Sequence, residues 1–165
     1  MSFPQSAEYQ LEQAIVPLFS NIFGLNIYTT NRTGSKVLPN VTISAKPVRQ
    51  LVSPYSGVYE MNVSINYSQT SAKYSEVQFD EEYLDIFGSL YSIPMSLKEK
   101  IQNNTTDLKI YMARISAQIP TINVGKRAWT KGLVINAIVT PDEISDGLYS
   151  YEFDDSKNSL YLATI

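Results

Sequence analysis

Residues 59–68, YEMNVSINYS, alternate without a break. Tyr59, Met61, Val63, Ile65 and Tyr67 fall on one side, and Glu60, Asn62, Ser64, Asn66 and Ser68 on the other. Period-two alternation over ten residues is the mark of a half-buried β-strand. At about 3.3 Å per residue the segment is a ribbon of roughly 33 Å with one apolar and one polar face. Such a ribbon needs strands beside it and a cover over its apolar face, so the flanking sequence decides the fold.

Upstream, LNIYTTNR (25–32) reads as a strand with Leu25 and Ile27 inward, and NRTGSK as a turn centred on Gly34. VTISAKPV (41–48) is a second strand, opened by Pro39, in which Val41, Ile43 and Ala45 alternate with Thr42, Ser44 and Lys46. Pro47 has no ladder donor, which places it at an edge or a bulge. Short links between the three strands predict an antiparallel meander, because a parallel crossover needs about a dozen residues or more. Downstream, LKIYMARISAQI (108–119) and RAWTKGLVINAIVT (127–140) read as two strands joined by a loose hairpin. The second holds Trp129, Leu133, Ile135, Ala137 and Val139 on one parity and ends at Pro141. The remaining residues predict a turn, PDEISDG, and a last hairpin about DDSKN with Tyr149, Tyr151 and Phe153 along one face.

The cover is predicted to be helical. Ser6 caps a helix whose apolar positions, Leu11, Ile15, Leu18, Phe19, Ile22 and Phe23, recur at spacings of mostly three and four before Gly24 stops it. Pro17 cannot donate to the Gln13 carbonyl, so a break is expected near residues 13–17. Ser75 and Gln78 form a capping box for a second helix over about 76–91. Its early turns hold Asp80, Glu81 and Glu82, and its apolar positions are Val77, Leu84, Phe87 and Tyr91. Pro94 ends it, and a short helical turn is expected around Leu97–Ile101. The sum is an α+β fold: an antiparallel sheet of about five to seven strands with two amphipathic helices packed on one face. Its 165 residues make one domain, 1–165, with 141–165 as a terminal hairpin or arm.

Composition narrows the function. The chain has no cysteine, which removes disulfides, thiolate metal sites and thiol nucleophiles and fits a reducing compartment. No apolar run approaches a membrane span, and MSFPQSAEYQ carries neither a basic leader nor an apolar signal core, so a cytosolic place of assembly without membrane contact is expected. Six N-x-S/T sequons (Asn31, Asn40, Asn62, Asn66, Asn103 and Asn104) then follow from an Asn-, Ser- and Thr-rich composition rather than from glycosylation. Charged residues make up only 18%, while tyrosine alone contributes 12. Interfaces are enriched in Tyr and depleted in Lys and Glu, so this balance leans towards a subunit of an assembly over a solitary monomer. A net charge of −3 argues against a dedicated binder of nucleic-acid backbone.

Catalytic chemistry finds little support. The absence of histidine excludes His-dependent hydrolases and most zinc sites. Acids cluster at Asp80, Glu81, Glu82 and Asp85, at Asp142, Glu143 and Asp146, and at Asp154 and Asp155, but none has the frame of a calcium loop. They read as helix-start charges and solvated turns. No phosphate-cradling glycine motif and no nucleophile elbow occurs, so no cofactor is expected and the chain reads as non-enzymatic. Two groups remain as candidate contacts. Lys126, Arg127 and Lys131 lie beside Trp129 and could meet a partner or single-stranded nucleic acid. Glu60, Asn62, Ser64 and Asn66, with Tyr149, Tyr151 and Phe153, are candidates for a subunit interface.

The order of these segments resembles a known family. A leading helix, LPNVTISAKPV, YEMNVSINYS, an amphipathic helix after a Ser/Thr-rich link, and RAWTKGLVINAIVTP look like the small tail terminator and neck proteins of long-tailed bacteriophages, over roughly residues 6–140. The resemblance is one of pattern and order, without a diagnostic motif. It implies a virion subunit, assembled in the host cytoplasm, that forms a homo-oligomeric ring, a hexamer, capping the tail tube and facing the neck or connector. DNA would pass through the lumen without specific binding. The segment after Pro141 departs from that pattern, which leaves another neck or baseplate component as an alternative. A stand-alone α+β protein- or nucleic-acid-binding domain using Trp129 and the surrounding cations is the rival from another class, and an enzyme using only carboxylates ranks third.

Overall fold

The computed structural model describes residues 6–30, 34–51, 57–91 and 95–141. Five strands, β1 (Asn26–Thr29), β2 (Asn40–Gln50), β3 (Tyr59–Thr70), β4 (Leu108–Val124) and β5 (Ala128–Pro141), form one sheet in the order β1-β2-β3-β5-β4. The opening stretch lies in β3, the central strand, and the pairs β2–β3, β3–β5 and β5–β4 are antiparallel. The architecture is α+β, as the patterning predicts.

The first pair differs from the expected meander. β1 runs parallel to β2, with Asn26 opposite Asn40 and Thr29 opposite Ile43. A crossover of ten residues (30–39) suffices because β1 has only four residues, about 13 Å, to be retraced. The starting ends are tied together: Asn26 N–H donates to the Pro39 carbonyl (3.1 Å), and the Asn26 side-chain amide to the same oxygen (3.0 Å). Pro47 sits where expected, at a register shift between Pro47 and Arg49, past the last residue that β1 reaches. β4 is longer than its sequence pattern implies and meets β5 in a tight turn, with Gly125 and Lys126 both left-handed (φ 60° and 59°) in place of a loose loop.

The core lies against one parity of the strands. Met61, Val63, Ile65 and Tyr67 of β3, Val41, Ile43 and Ala45 of β2, and Leu133, Ile135, Ala137 and Val139 of β5 are buried in one cluster with helical side chains. α1 (Ala7–Ile15) starts on Ser6, whose hydroxyl accepts from Tyr9 N–H at 3.2 Å, and contributes Leu11 and Ile15. Pro17 ends it in a single 3₁₀ turn, Val16–Leu18. Phe19 still reaches the core, but Phe23, predicted on the same face, is fully exposed because the helix that would have carried it inward has ended.

α2 (Glu76–Phe87) has the predicted capping box, but of the apolar positions predicted to face inward only Phe87 does so. Phe79, Tyr83, Ile86 and Phe87 are buried, whereas Val77, Leu84 and Tyr91 are exposed. Both sets fit helical spacing, and the aromatic set hides more apolar area. Phe79 stacks on Tyr67 (centroids 5.3 Å) and Tyr83 on Phe87 (4.3 Å). A 3₁₀ turn, Gly88–Leu90, follows, and α3 (Leu97–Gln102) places Ile101 in the core.

Tyr83 yields a direct test. Its hydroxyl is buried without a hydrogen-bond partner among the described residues. Burial, and to a lesser degree repulsion from a charged Tyr91, pushes its phenol up to about 12. An unfolded phenol ionises near 10, so folding stability is intact below about pH 10 and falls as the pH rises towards 12. Tyr83→Phe is expected to shrink that alkaline loss and to be neutral or stabilising by up to about 1 kcal/mol near pH 7, because no hydrogen bond is lost. Thermal melts at neutral and alkaline pH check both parts.

Candidate interface on the open face of the sheet

The other parity of the strands faces away from the core. Read through the register of β2, β3, β5 and β4, its rows are Arg49–Glu60–Ile138–Met112, Lys46–Asn62–Asn136–Arg114, Ser44–Ser64–Val134–Ala117 and Thr42–Asn66–Gly132–Ile119. Glu60, Asn62, Ser64 and Asn66 therefore share this face. Asn62 is exposed and the other three are half-buried, and no described element packs over them.

Short polar side chains on neighbouring strands hydrogen-bond one another instead of reaching outward. The Asn136 amide donates to Glu60 Oε2 (2.9 Å) and to Asn62 Oδ1 (3.0 Å), and Ser68 and Thr130 hydroxyls lie 3.1 Å apart. Arg49 Nε sits 2.8 Å from Glu60 Oε1. The Asn136 hydrogen bond first, then the Arg49 hydrogen bond and charge and the charge of Arg114, outweigh desolvation and hold the Glu60 carboxyl below its usual range. The pair is a surface one, screened by water, and serves to position more than to stabilise. Asn66 lies flat because Gly132, its partner on β5, leaves room: a Cβ there would stand 2.5 Å from Asn66 Oδ1 and 2.2 Å from the Ile65 carbonyl oxygen.

Sequence patterning missed half of this face. Asn136, Val134 and Ile138 alternate with the core residues of β5, but on β4 the signal is hidden. Register shifts between Ile110 and Met112, Ile115 and Ala117, and Ile119 and Ile122 bring Met112, Arg114, Ala117, Ile119 and Ile122 onto one side, where strict alternation would have separated them. The assembled surface is a neutral amide and hydroxyl field on β3, an apolar patch on β5 and β4, and one charged end with Lys46, Arg49, Arg114 and Glu60.

The basic candidates are not brought together. Lys126 and Arg127 are exposed at the β4–β5 turn, but Lys131 lies opposite Tyr67 on the core side. Its ammonium is 3.6 Å from Asp80 and 5.1 Å from the Tyr83 ring centroid. Trp129 is half-buried, donates from Nε1 to the Tyr74 carbonyl (2.8 Å) and packs near Phe79, so its ring has a structural role and is no free stacking platform. The acids of α2 are likewise divided. Asp80 accepts from Thr121 (2.8 Å), Glu82 accepts from Tyr67 and Gln69, and among the described residues no group of three or more acids is arranged to hold a metal ion. Tyr149, Tyr151, Phe153 and the acids beyond Pro141 lie outside the described residues. No protein-family model and no curated protein sequence matches the chain.

Proposed function

We propose that the chain is a non-enzymatic structural subunit of a bacteriophage virion, a tail terminator-like protein. It forms a ring that caps the tail tube and joins it to the neck. The observation that carries this reading is the open face of the five-stranded sheet, which no described element covers and which combines a polar field and an apolar patch with charges gathered at one end. A ring contact is heterologous: one patch meets a different patch on the next copy, and closure depends on the rotation between them. An extended face with an uncharged centre and a half-buried apolar strip of Met112, Ile119, Val134 and Ile138 suits one side of such a contact. The ring number, a hexamer, and the neighbours at either end rest on the family resemblance.

The test is assembly. The wild-type protein is expected to sediment as a multiple of its 18.6 kDa subunit and to show closed rings by negative-stain electron microscopy. Asn62→Lys with Ser64→Lys places two cations in the middle of the face, and should leave the melting temperature within a few degrees while reducing the particle to a monomer. A wild-type protein that stays monomeric at high concentration, or rings that survive the double substitution, overturns this assignment of the face.

A further inference from the structure

A cleft of about 500 Å³ opens where the end of β3 meets α2 and the loop before β1. That volume is in the usual range of small-molecule sites. At the cleft three polar side chains converge. Tyr67 and Gln69, 1% and 6% exposed, both donate to Glu82 Oε1, the tyrosine hydroxyl directly and the Gln69 amide at 3.2 Å. Gln69 Oε1 is occupied by Thr70 N–H (2.9 Å), which fixes the amide with its NH₂ towards Glu82. Burial first, and then the hydrogen bond to Glu82, hold the Tyr67 phenol far above its usual range, so it remains a donor across the physiological pH range.

Both donors use one oxygen of Glu82. Its second oxygen has no hydrogen bond among the described residues, and neither ion pair found there, Arg49–Glu60 or Lys131–Asp80, involves it. A positioned, partly buried carboxylate with no ion-pair partner among the described residues favours a positive ligand and disfavours an anion. The walls add to that preference. Ile22, Leu25 and Ile86 are apolar, Tyr74 also lines the cleft, and Phe23 is fully exposed at its rim. Aromatic side chains lining a cleft that also holds a carboxylate are suited to ammonium and guanidinium groups.

We propose that this cleft binds an organic cation, a primary ammonium or guanidinium on a short apolar stem. Glu82 supplies the countercharge, and Phe23 and Tyr74 the aromatic walls. The same chemistry is offered by a free alkylamine and by a lysine or arginine side chain of another chain. Lys73 lines the cleft as well, but is exposed and acts as a competing charge at the mouth.

The experiment is an NMR titration of the full chain with n-butylammonium and n-butylguanidinium, with n-butanol and butyrate as neutral and anionic controls. Cations are expected to bind about tenfold more tightly than butanol, with shifts at Tyr67, Gln69 and Tyr74, and butyrate more weakly than either. Glu82→Gln, whose amide oxygen can still accept from Tyr67, should abolish the preference, and Lys73→Met should strengthen it. Phe23→Ala, at a residue outside the core, should weaken cation binding without touching the fold. Blocked lysine and arginine amides distinguish the sources: binding as tight as the free amine identifies a side chain of another chain, and weaker binding a free amine. Equal affinity for butylammonium and butanol, or a preference that survives Glu82→Gln, overturns the proposal.

Discussion

Glu12→Ala is expected to lower stability by about 3 kcal/mol, on the order of 6–12 °C in melting temperature for a chain of this size. Glu12 is fully buried on α1, and neither ion pair among the described residues includes it. Its carboxylate accepts from Thr30 N–H (3.1 Å), from the Thr30 hydroxyl (2.8 Å) and from Ala45 N–H (2.8 Å). The pairing of β1 with β2 stops at Thr29 and Ile43, and two residues further on the β2 backbone donates to Glu12 instead. The side chain thus continues the ladder where β1 has run out and ties α1 to the parallel pair. Removing it strands a buried N–H, at a cost of about 1–3 kcal/mol, and loses hydrogen bonds to a charged acceptor. Glu12→Gln should cost about half as much, because its oxygen can serve Ala45 while its amide donates to the Thr30 hydroxyl. Chemical denaturation of the two variants checks the order, and an alanine variant within about 0.5 kcal/mol of wild type would refute the role.

Gly132→Ala is the second large effect expected, a loss of about 3 kcal/mol or more. The new methyl would stand 2.2 Å from the Ile65 carbonyl oxygen, a backbone atom of the central strand that cannot move without breaking its ladder. A flexible neighbour could yield, but this one cannot. Asn66→Ala removes the second obstacle, the amide oxygen at 2.5 Å, and leaves the first, so it should not rescue the variant. Full recovery in the double variant would show that the side chain alone sets the limit. At Gly88 a Cβ meets nothing within 4 Å, so the sensitivity of Gly132 comes from crowding by β3.

The candidate interface was legible on β3, where ten residues keep step and Glu60, Asn62, Ser64 and Asn66 reach one face. It was not legible on β4, whose bulges change the parity three times, nor at Asn136, whose role depends on the strand beside it. The cleft was not legible at all. Tyr67 and Gln69 lie on the inward parity of β3, and Glu82 within an acidic run that reads as solvated helix charge. Their meeting depends on how α2 lies on the sheet.

Local chemistry, readable along the chain, determined where the elements begin and end. Ser6 and Ser75 cap helices, Pro17 stops one, Pro47 marks a bulge, and alternation places the central strand. These features act over one to four residues, the range within which sequence spacing is geometry. The packing of distant segments settled the rest. Of two apolar stripes on α2, the one with Phe79, Tyr83 and Phe87 faces inward because Tyr67 and Phe19 stand ready to receive its rings. β1 turned parallel because its shortness made the return cheap, and Glu12 became a core residue because the edge of β2 needed an acceptor. Each outcome depends on contacts between residues far apart in the chain, which no local pattern encodes.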